Sequence, residues 1–213
     1  MIKMKKAITV LILFVLTGCG GSQLNQKYNE SVVPELRHAD LFGLSLTRPT
    51  SWEFITAEEF KYSISETKLE NEDIEKLVML FMSRPIVCIT KNRPQIPLPA
   101  ITITVNPKEG SPNVSIIAIL KRFAEIGPAA FKDYTVIIQP QEMEIDGHKA
   151  AYMKAHYTGQ FYDDYEFYPV SYETWIILRQ GYFFNIGAVS SQNEDGKTRE
   201  EIASVIKSIK LRK

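Results

Sequence analysis

Apolar residues fill Ala7 to Leu16 without a break, behind three lysines (Lys3, Lys5, Lys6) and no acid. From Gly20 to about Asp40 the pattern dissolves into mixed polar residues without a period, as in a tether. Ordered patterns begin at Leu41. Leu41-Phe42-Gly43-Leu44-Ser45-Leu46 alternates as a strand until Pro49, and Trp52-Glu53-Phe54-Ile55 reads as a short continuation. Thr56 with Glu59 three residues on is a capping box that opens a helix at Ala57. Ile74, Leu77, Val78 and Phe81, spaced i, i+3, i+4 and i+7 after Asn71, predict a further helical stretch.

Two β runs follow, Ile86 to Thr90 and Ala100 to Val105, joined by a connection containing Pro94, Pro97 and Pro99. Ser111-Pro112-Asn113 opens a helix whose apolar face is Ile116, Ile117, Leu120 and Phe123, ending near Gly127-Pro128. Sheet then dominates: Tyr134 to Gln139, Gln141 to Ile145, the turn Asp146-Gly147, and Ala150 to Thr158, with Asp-Gly a strong hairpin signal. Tyr172 to Leu178 and Tyr182 to Val189 form another pair, turning at Gln180-Gly181. Ile202, Val205, Ile206 and Ile209 mark a closing amphipathic helix, with Glu200 and Glu201 early and Lys207, Lys210 and Arg212 late, as the helix dipole prefers. The expected fold is α+β: a mostly antiparallel β-sheet packed with helices inserted early, midway and at the end. Neither an internal repeat nor a second linker is visible, so residues 41–213 read as a single domain.

The opening segment carries an address. Its basic start and apolar run are the first two regions of a secretory signal, and a run of about ten residues is half of the roughly twenty that a membrane-spanning helix needs. It ends in Leu16-Thr17-Gly18-Cys19, which resembles the lipobox of bacterial lipoproteins. That resemblance implies a signal peptide at 1–18, lipid attached to Cys19, and a lipidated tether over 19–40. Two or three acyl chains at about 0.8 kcal/mol per buried CH2 give a stable anchor where one gives marginal binding. An ordinary signal with a chance cysteine is the alternative. Gly20 stands where an aspartate would resemble the inner-membrane retention signal, so the expected place is the cell envelope, with the periplasmic face of the outer membrane favoured over the inner membrane.

Charge and cysteines narrow the function. Three of the 25 Lys+Arg lie in the removed segment, leaving 22 against 25 acids, a formal charge of −3 that offers no basic face to nucleic acid. With Cys19 consumed by lipid, Cys88 is alone and no intramolecular disulfide forms; its apolar β-rich surroundings predict a buried, inert thiol.

The order of parts resembles the Mog1/PsbP-like superfamily, including DcrB-like envelope lipoproteins. The residues that carry this are Phe42 to Leu46 leading to Pro49 and Trp52, Ile101 to Val105 before a helix, Glu144-Ile145-Asp146-Gly147-His148-Lys149-Ala150 opening a long strand, and Tyr182 to Ile186 before the closing helix. The resemblance implies a two-layer or three-layer sandwich over most of 41–213, mostly noncatalytic work as accessory subunit, partner-binding factor or chaperone, and structural roles for Trp52 and Gly147.

Candidate chemistry is sparse. His38, His148 and His156 show no metal spacing, and no nucleophile elbow or phosphate-binding glycine loop occurs; no cofactor, metal or catalytic residue is assigned. The unusual segment is Phe161-Tyr162-Asp163-Asp164-Tyr165-Glu166-Phe167-Tyr168, with five aromatics and three acids in eight residues. Its aromatics offer rigid contact area to an envelope protein partner and its acids select a basic one. It also fits a hairpin end with solvated acids, or a cation site formed by Asp163, Asp164 and Glu166, although no EF-hand pattern is present. The expected function is therefore a noncatalytic protein-binding or assembly factor on the envelope, with a carrier of a small apolar ligand or lipid, or an enzyme, as alternatives.

Overall fold

The computed structural model describes residues 36–39, 42–55, 85–91, 98–108, 115–160 and 167–212. All of them belong to the unit Pro34–Lys213. The helices expected from Thr56 and after Asn71, and Ser111 to Asn113, lie outside the described residues.

Strand alternation lets one large sheet bury apolar side chains on both faces. In chain order the strands are β1 (Leu36–Ala39), β2 (Leu44–Thr47), β3 (Glu53–Phe54), β4 (Val87–Thr90), β5 (Ala100–Pro107), β6 (Lys132–Ile145), β7 (His148–Gln160), β8 (Phe167–Leu178), β9 (Tyr182–Ser191) and β10 (Lys210–Leu211). Helix α1 (Ile116–Ala130) precedes β6, and α2 (Gly196–Ser208) follows β9. Seven strands form one sheet in the order β3-β4-β5-β9-β8-β7-β6, every pair antiparallel. A smaller sheet, β1-β2-β10, joins the start of the domain to its end. The fold is α+β, as the pattern predicts.

Three layers result. On one face, Ile101 and Ile103 of β5, Phe184 and Ile186 of β9, and Trp175 and Ile177 of β8 pack with Ile202, Val205 and Ile206 of α2 and with Leu44, Leu46 and Leu211 of the small sheet. On the other, Ala151, Met153 and Ala155 of β7 and Ile176 of β8 pack under Ile116, Leu120 and Phe123 of α1. Each helix is started by a side chain that accepts an otherwise unbonded amide: Ser115 Oγ from Ala118 N at 3.3 Å and Asp195 Oδ1 from Thr198 N at 2.7 Å. Such a cap stabilises by about 1 kcal/mol.

Both expected hairpins form. Asp146 and Gly147 take positive φ (50° and 75°) between β6 and β7, as a two-residue turn matched to strand twist requires, and Gly181 (φ 81°) turns β8 into β9.

Several boundaries differ from the pattern. β6 is one strand of 14 residues rather than two, and Pro140 sits inside it. A proline is tolerated there because β6 is the edge strand and its pairing with β7 slips between Ile138 and Gln141. Two more slips flank Lys132/Thr135 and Val136/Ile138. α1 continues through Gly127-Pro128 to Ala130, and the Gly127 carbonyl accepts from Phe131 N at 2.9 Å. α2 starts at Gly196 and stops at Ser208, so Glu200 and Glu201 stand beyond its first turn while Lys210 and Arg212 lie past its end. Leu36–Ala39, in the stretch with a tether's composition, pairs with β2.

Candidate functional site

Of the residues that the sequence singles out, Cys19 and residues 161–166 lie outside the described residues, as does the side chain of His38. Gln160 pairs with Phe167 and Gly159 with Tyr168, so β7 and β8 run up to the aromatic and acidic segment from both sides and residues 161–166 connect them. Tyr168 is half-buried within β8. Phe167 is 53% exposed, and the Lys132 ammonium lies 4.4 Å from the centre of its ring. The exposed large hydrophobic residues among those described are Phe167, Ile137 (47%) and Met143 (37%). Ile137 and Met143 belong to the edge strand β6, with Met143 near the Asp146-Gly147 turn, whereas Phe167 opens β8 beside Lys132, at the other end of β6. Ile137 reaches solvent from the slip between Val136 and Ile138.

The described chemistry is mostly self-satisfied. On the α2 face, Lys154 and Glu173 are cross-strand partners, with Lys154 Nζ 3.1 Å from Glu173 Oε1. Tyr152 Oη donates to Glu173 Oε2 at 2.6 Å. Both carboxylate oxygens are thus engaged, and Glu173 is not poised as the orienting acid of a triad with His156. Burial, Lys154 and Arg199 lower the His156 pKa below 6.5 against a smaller opposing effect of Glu173, which favours the neutral imidazole.

The α1 face carries a buried polar set across β5, β8 and β9. Thr174 Oγ1 donates to Asn185 Oδ1 at 3.0 Å, and Asn106 Nδ2 to Thr104 Oγ1 at 3.2 Å, all four residues buried. Burial pushes the Tyr172 phenol up to about 12, against a hydrogen bond with Thr174. Burial raises Tyr134 and Tyr157 as well, so these phenols stay protonated at neutral pH. Cys88 is buried in β4, as its apolar run predicts. Among the described residues no group of three or more His, Cys, Asp or Glu is placed to hold a metal ion. No described helix is long and apolar enough to cross a membrane.

Sequence reasoning missed the polar rows of β7 and β8. Tyr152, Lys154, His156 and Thr158 are legible as the polar phase of one strand, but their partners Trp175, Glu173, Ser171 and Pro169 are fixed by register, for which one strand carries no signal.

No family model matches the chain, and no curated protein matches it. The solved structure of cyanobacterial PsbP (CyanoP) from Synechocystis sp. PCC 6803 aligns over 93% of this chain and 99% of its own, with a TM-score of 0.50 at 9% identity. The fold is of the PsbP type. Mog1p, a Ran-binding protein of Saccharomyces cerevisiae, is matched at TM-score 0.45 and 8% identity over 83% of this chain and 94% of its own. LpqN of Mycobacterium tuberculosis, involved in cell envelope biogenesis, is matched at 0.45 and 14% over 80% and 83%. At these identities the PsbP-type likeness concerns architecture; function is argued from the residues.

Proposed function

We propose that this chain is a lipid-anchored protein of the bacterial envelope whose sandwich domain is a noncatalytic docking module for another envelope protein. The anchor rests on Leu16-Thr17-Gly18-Cys19 behind a basic start and a short apolar run. The observation that carries the docking reading is Phe167, 53% exposed as the first residue of β8 and directly after the segment of Phe161, Tyr162, Asp163, Asp164, Tyr165 and Glu166, with Tyr168 following it. Exposed aromatic side chains within an aromatic-rich run mark contact surfaces more often than isolated ones do. The slips in β6 bear on the mode of contact, because an irregular edge resists strand addition and leaves side chains as the means of recognition.

Metabolic labelling with an alkynyl palmitate tests the anchor. The wild-type chain is expected to take up label and fractionate with membranes, and Cys19→Ala to lose both. Label retained by Cys19→Ala contradicts the assignment of the anchor.

A further inference from the structure

At one end of the large sheet the hairpins β6–β7 and β8–β9 meet the C-terminal strand, and one side chain ties all three together. Arg179 directly follows β8, and its amide donates to the Tyr182 carbonyl at 2.9 Å across the turn at Gly181. His148 opens β7. Both residues stand two positions beyond Ala150 and Ile177, the last partners of the β7–β8 ladder. From there the guanidinium reaches in two directions: Nη1 donates to Nε2 of His148 at 3.0 Å and Nη2 to the Arg212 carbonyl at 2.7 Å. Arg212 in turn donates its amide to the Gly43 carbonyl at 2.8 Å, just past β10, which pairs with β2 over two residues.

A guanidinium has only donors and keeps its charge in a protein. Nε2 of His148 is therefore the lone-pair nitrogen, and the ring proton sits on Nδ1. A proton added to Nε2 sets one N–H against another and a cation against a guanidinium at 3.0 Å, so the contact belongs to the neutral imidazole and is lost with the imidazolium. The charged groups around the pair are Lys210 and Arg212 from the C-terminal strand, Lys108, whose amide donates to the Gly181 carbonyl at 2.9 Å, and Asp146 from the β6–β7 turn. Lys149 and Glu144 are cross-strand partners one residue along, so they lie on the other face. Asp146 is the counter-charge for an imidazolium: His148 acts on it electrostatically, and its oxygens hold Leu211 N at 2.7 Å and Lys210 Nζ at 3.0 Å. Protonation thus frees Arg179 from His148 and brings the imidazolium into competition for the carboxylate that also holds β10.

We propose that His148 and Arg179 form a proton-sensitive latch on the C-terminal strand: the neutral imidazole holds the guanidinium on the Arg212 carbonyl, and the imidazolium releases it. The latch is closed in neutral solution and opens as pH falls through the interval of about 5 to 8 in which imidazoles change charge. Leu211 of β10 is buried in the core beneath α2 and the small sheet, so loosening this strand uncovers apolar surface at one end of the domain. The latch is independent of the docking surface at Phe167.

Nuclear magnetic resonance on the isotopically labelled full chain tests both halves of the latch. The ring nitrogens of His148 are expected to show the Nδ1–H tautomer at about pH 8; the Nε2–H tautomer overturns the latch without any variant. Amide hydrogen exchange, expressed as protection relative to an unstructured peptide at the same pH, then follows its opening. Protection of the Arg212 amide should fall about tenfold between about pH 8 and pH 5, the size of one hydrogen bond made by a charged group, while that of Ile176 in mid-sheet holds. In His148→Phe, with its folding checked by the unfolding midpoint, Arg212 protection should no longer depend on pH over that interval. Arg179→Ala should remove the dependence as well while His148 still titrates. Protection of Arg212 that is constant in the wild type, or a pH dependence that survives in His148→Phe, where His38 and His156 remain, overturns the latch.

Discussion

The indole Nε1 of Trp52 donates to Oε2 of Glu201 at 2.9 Å, joining the start of the domain to α2. Ser51 Oγ reaches the other carboxylate oxygen at 3.2 Å, and Lys91 Nζ stands 3.1 Å from Oε2. Burial opposes the Glu201 charge, but the bonds from Trp52, Lys91 and Ser51 outweigh it and hold the carboxyl below its ordinary 4.5. A hydrogen bond to a charged group contributes about 1.5–3 kcal/mol, and Trp52→Phe is expected to cost that much in urea unfolding at pH 7. Since the folded pKa is lowered, the contribution of the ionised carboxylate is present above 4.5 and lost as pH falls through the folded value. The penalty of Trp52→Phe should therefore narrow in acid; a penalty independent of pH contradicts the assignment.

Gly127 is the second test. Alanine within a helix is ordinarily better than glycine by about 1 kcal/mol. Here an added Cβ would lie 2.2 Å from Cζ of Tyr134, whose ring stacks on Phe131 at 6.0 Å between centroids. Overpacking costs about 1–3 kcal/mol, so Gly127→Ala should lower the unfolding midpoint. Gly127→Ala combined with Tyr134→Ser should recover part of that loss. Additive losses in the double variant contradict the contact.

A third expectation concerns Asp146 at the tip of the β6–β7 hairpin. Its carboxylate accepts from Leu211 N at 2.7 Å and Lys210 Nζ at 3.0 Å, tying the turn to β10. The Leu211 amide, then Lys210, lower its pKa from 3.8. This tie is present above 3.8 and lost as pH falls through the folded value. The Leu211 amide resonance should titrate with an apparent pKa below 3.8, and Asp146→Asn should abolish that titration; its persistence in the variant contradicts the bond.

Much of this architecture was legible because local chemistry and tertiary context agree. Asp146-Gly147 and Gly181 turn where the dipeptides require positive φ, and Ile202, Val205 and Ile206 bury the face that their spacing marks. Pro140 misled because proline breaks a strand only where its missing N–H is needed, and at a slipped edge that need is relieved. The exposed apolar residues were half legible. The composition of 161–168 pointed to Phe167, whereas Ile137 and Met143 look like core residues until β6 is known to be an edge strand. The pairing of Lys154 with Glu173 was not legible, since it exists only once β7 and β8 are in register.

Docking through the segment 161–168 is tested most directly by crosslinking in intact cells, then detergent extraction and mass spectrometry. Wild type is compared with two variants, Tyr162→Ser with Tyr165→Ser, and Phe167→Ser, each checked for folding by its unfolding midpoint. The account predicts one specific envelope protein crosslinked to wild type and reduced to background in both folded variants. Undiminished capture by the variants, or no specific protein crosslinked to wild type, contradicts it.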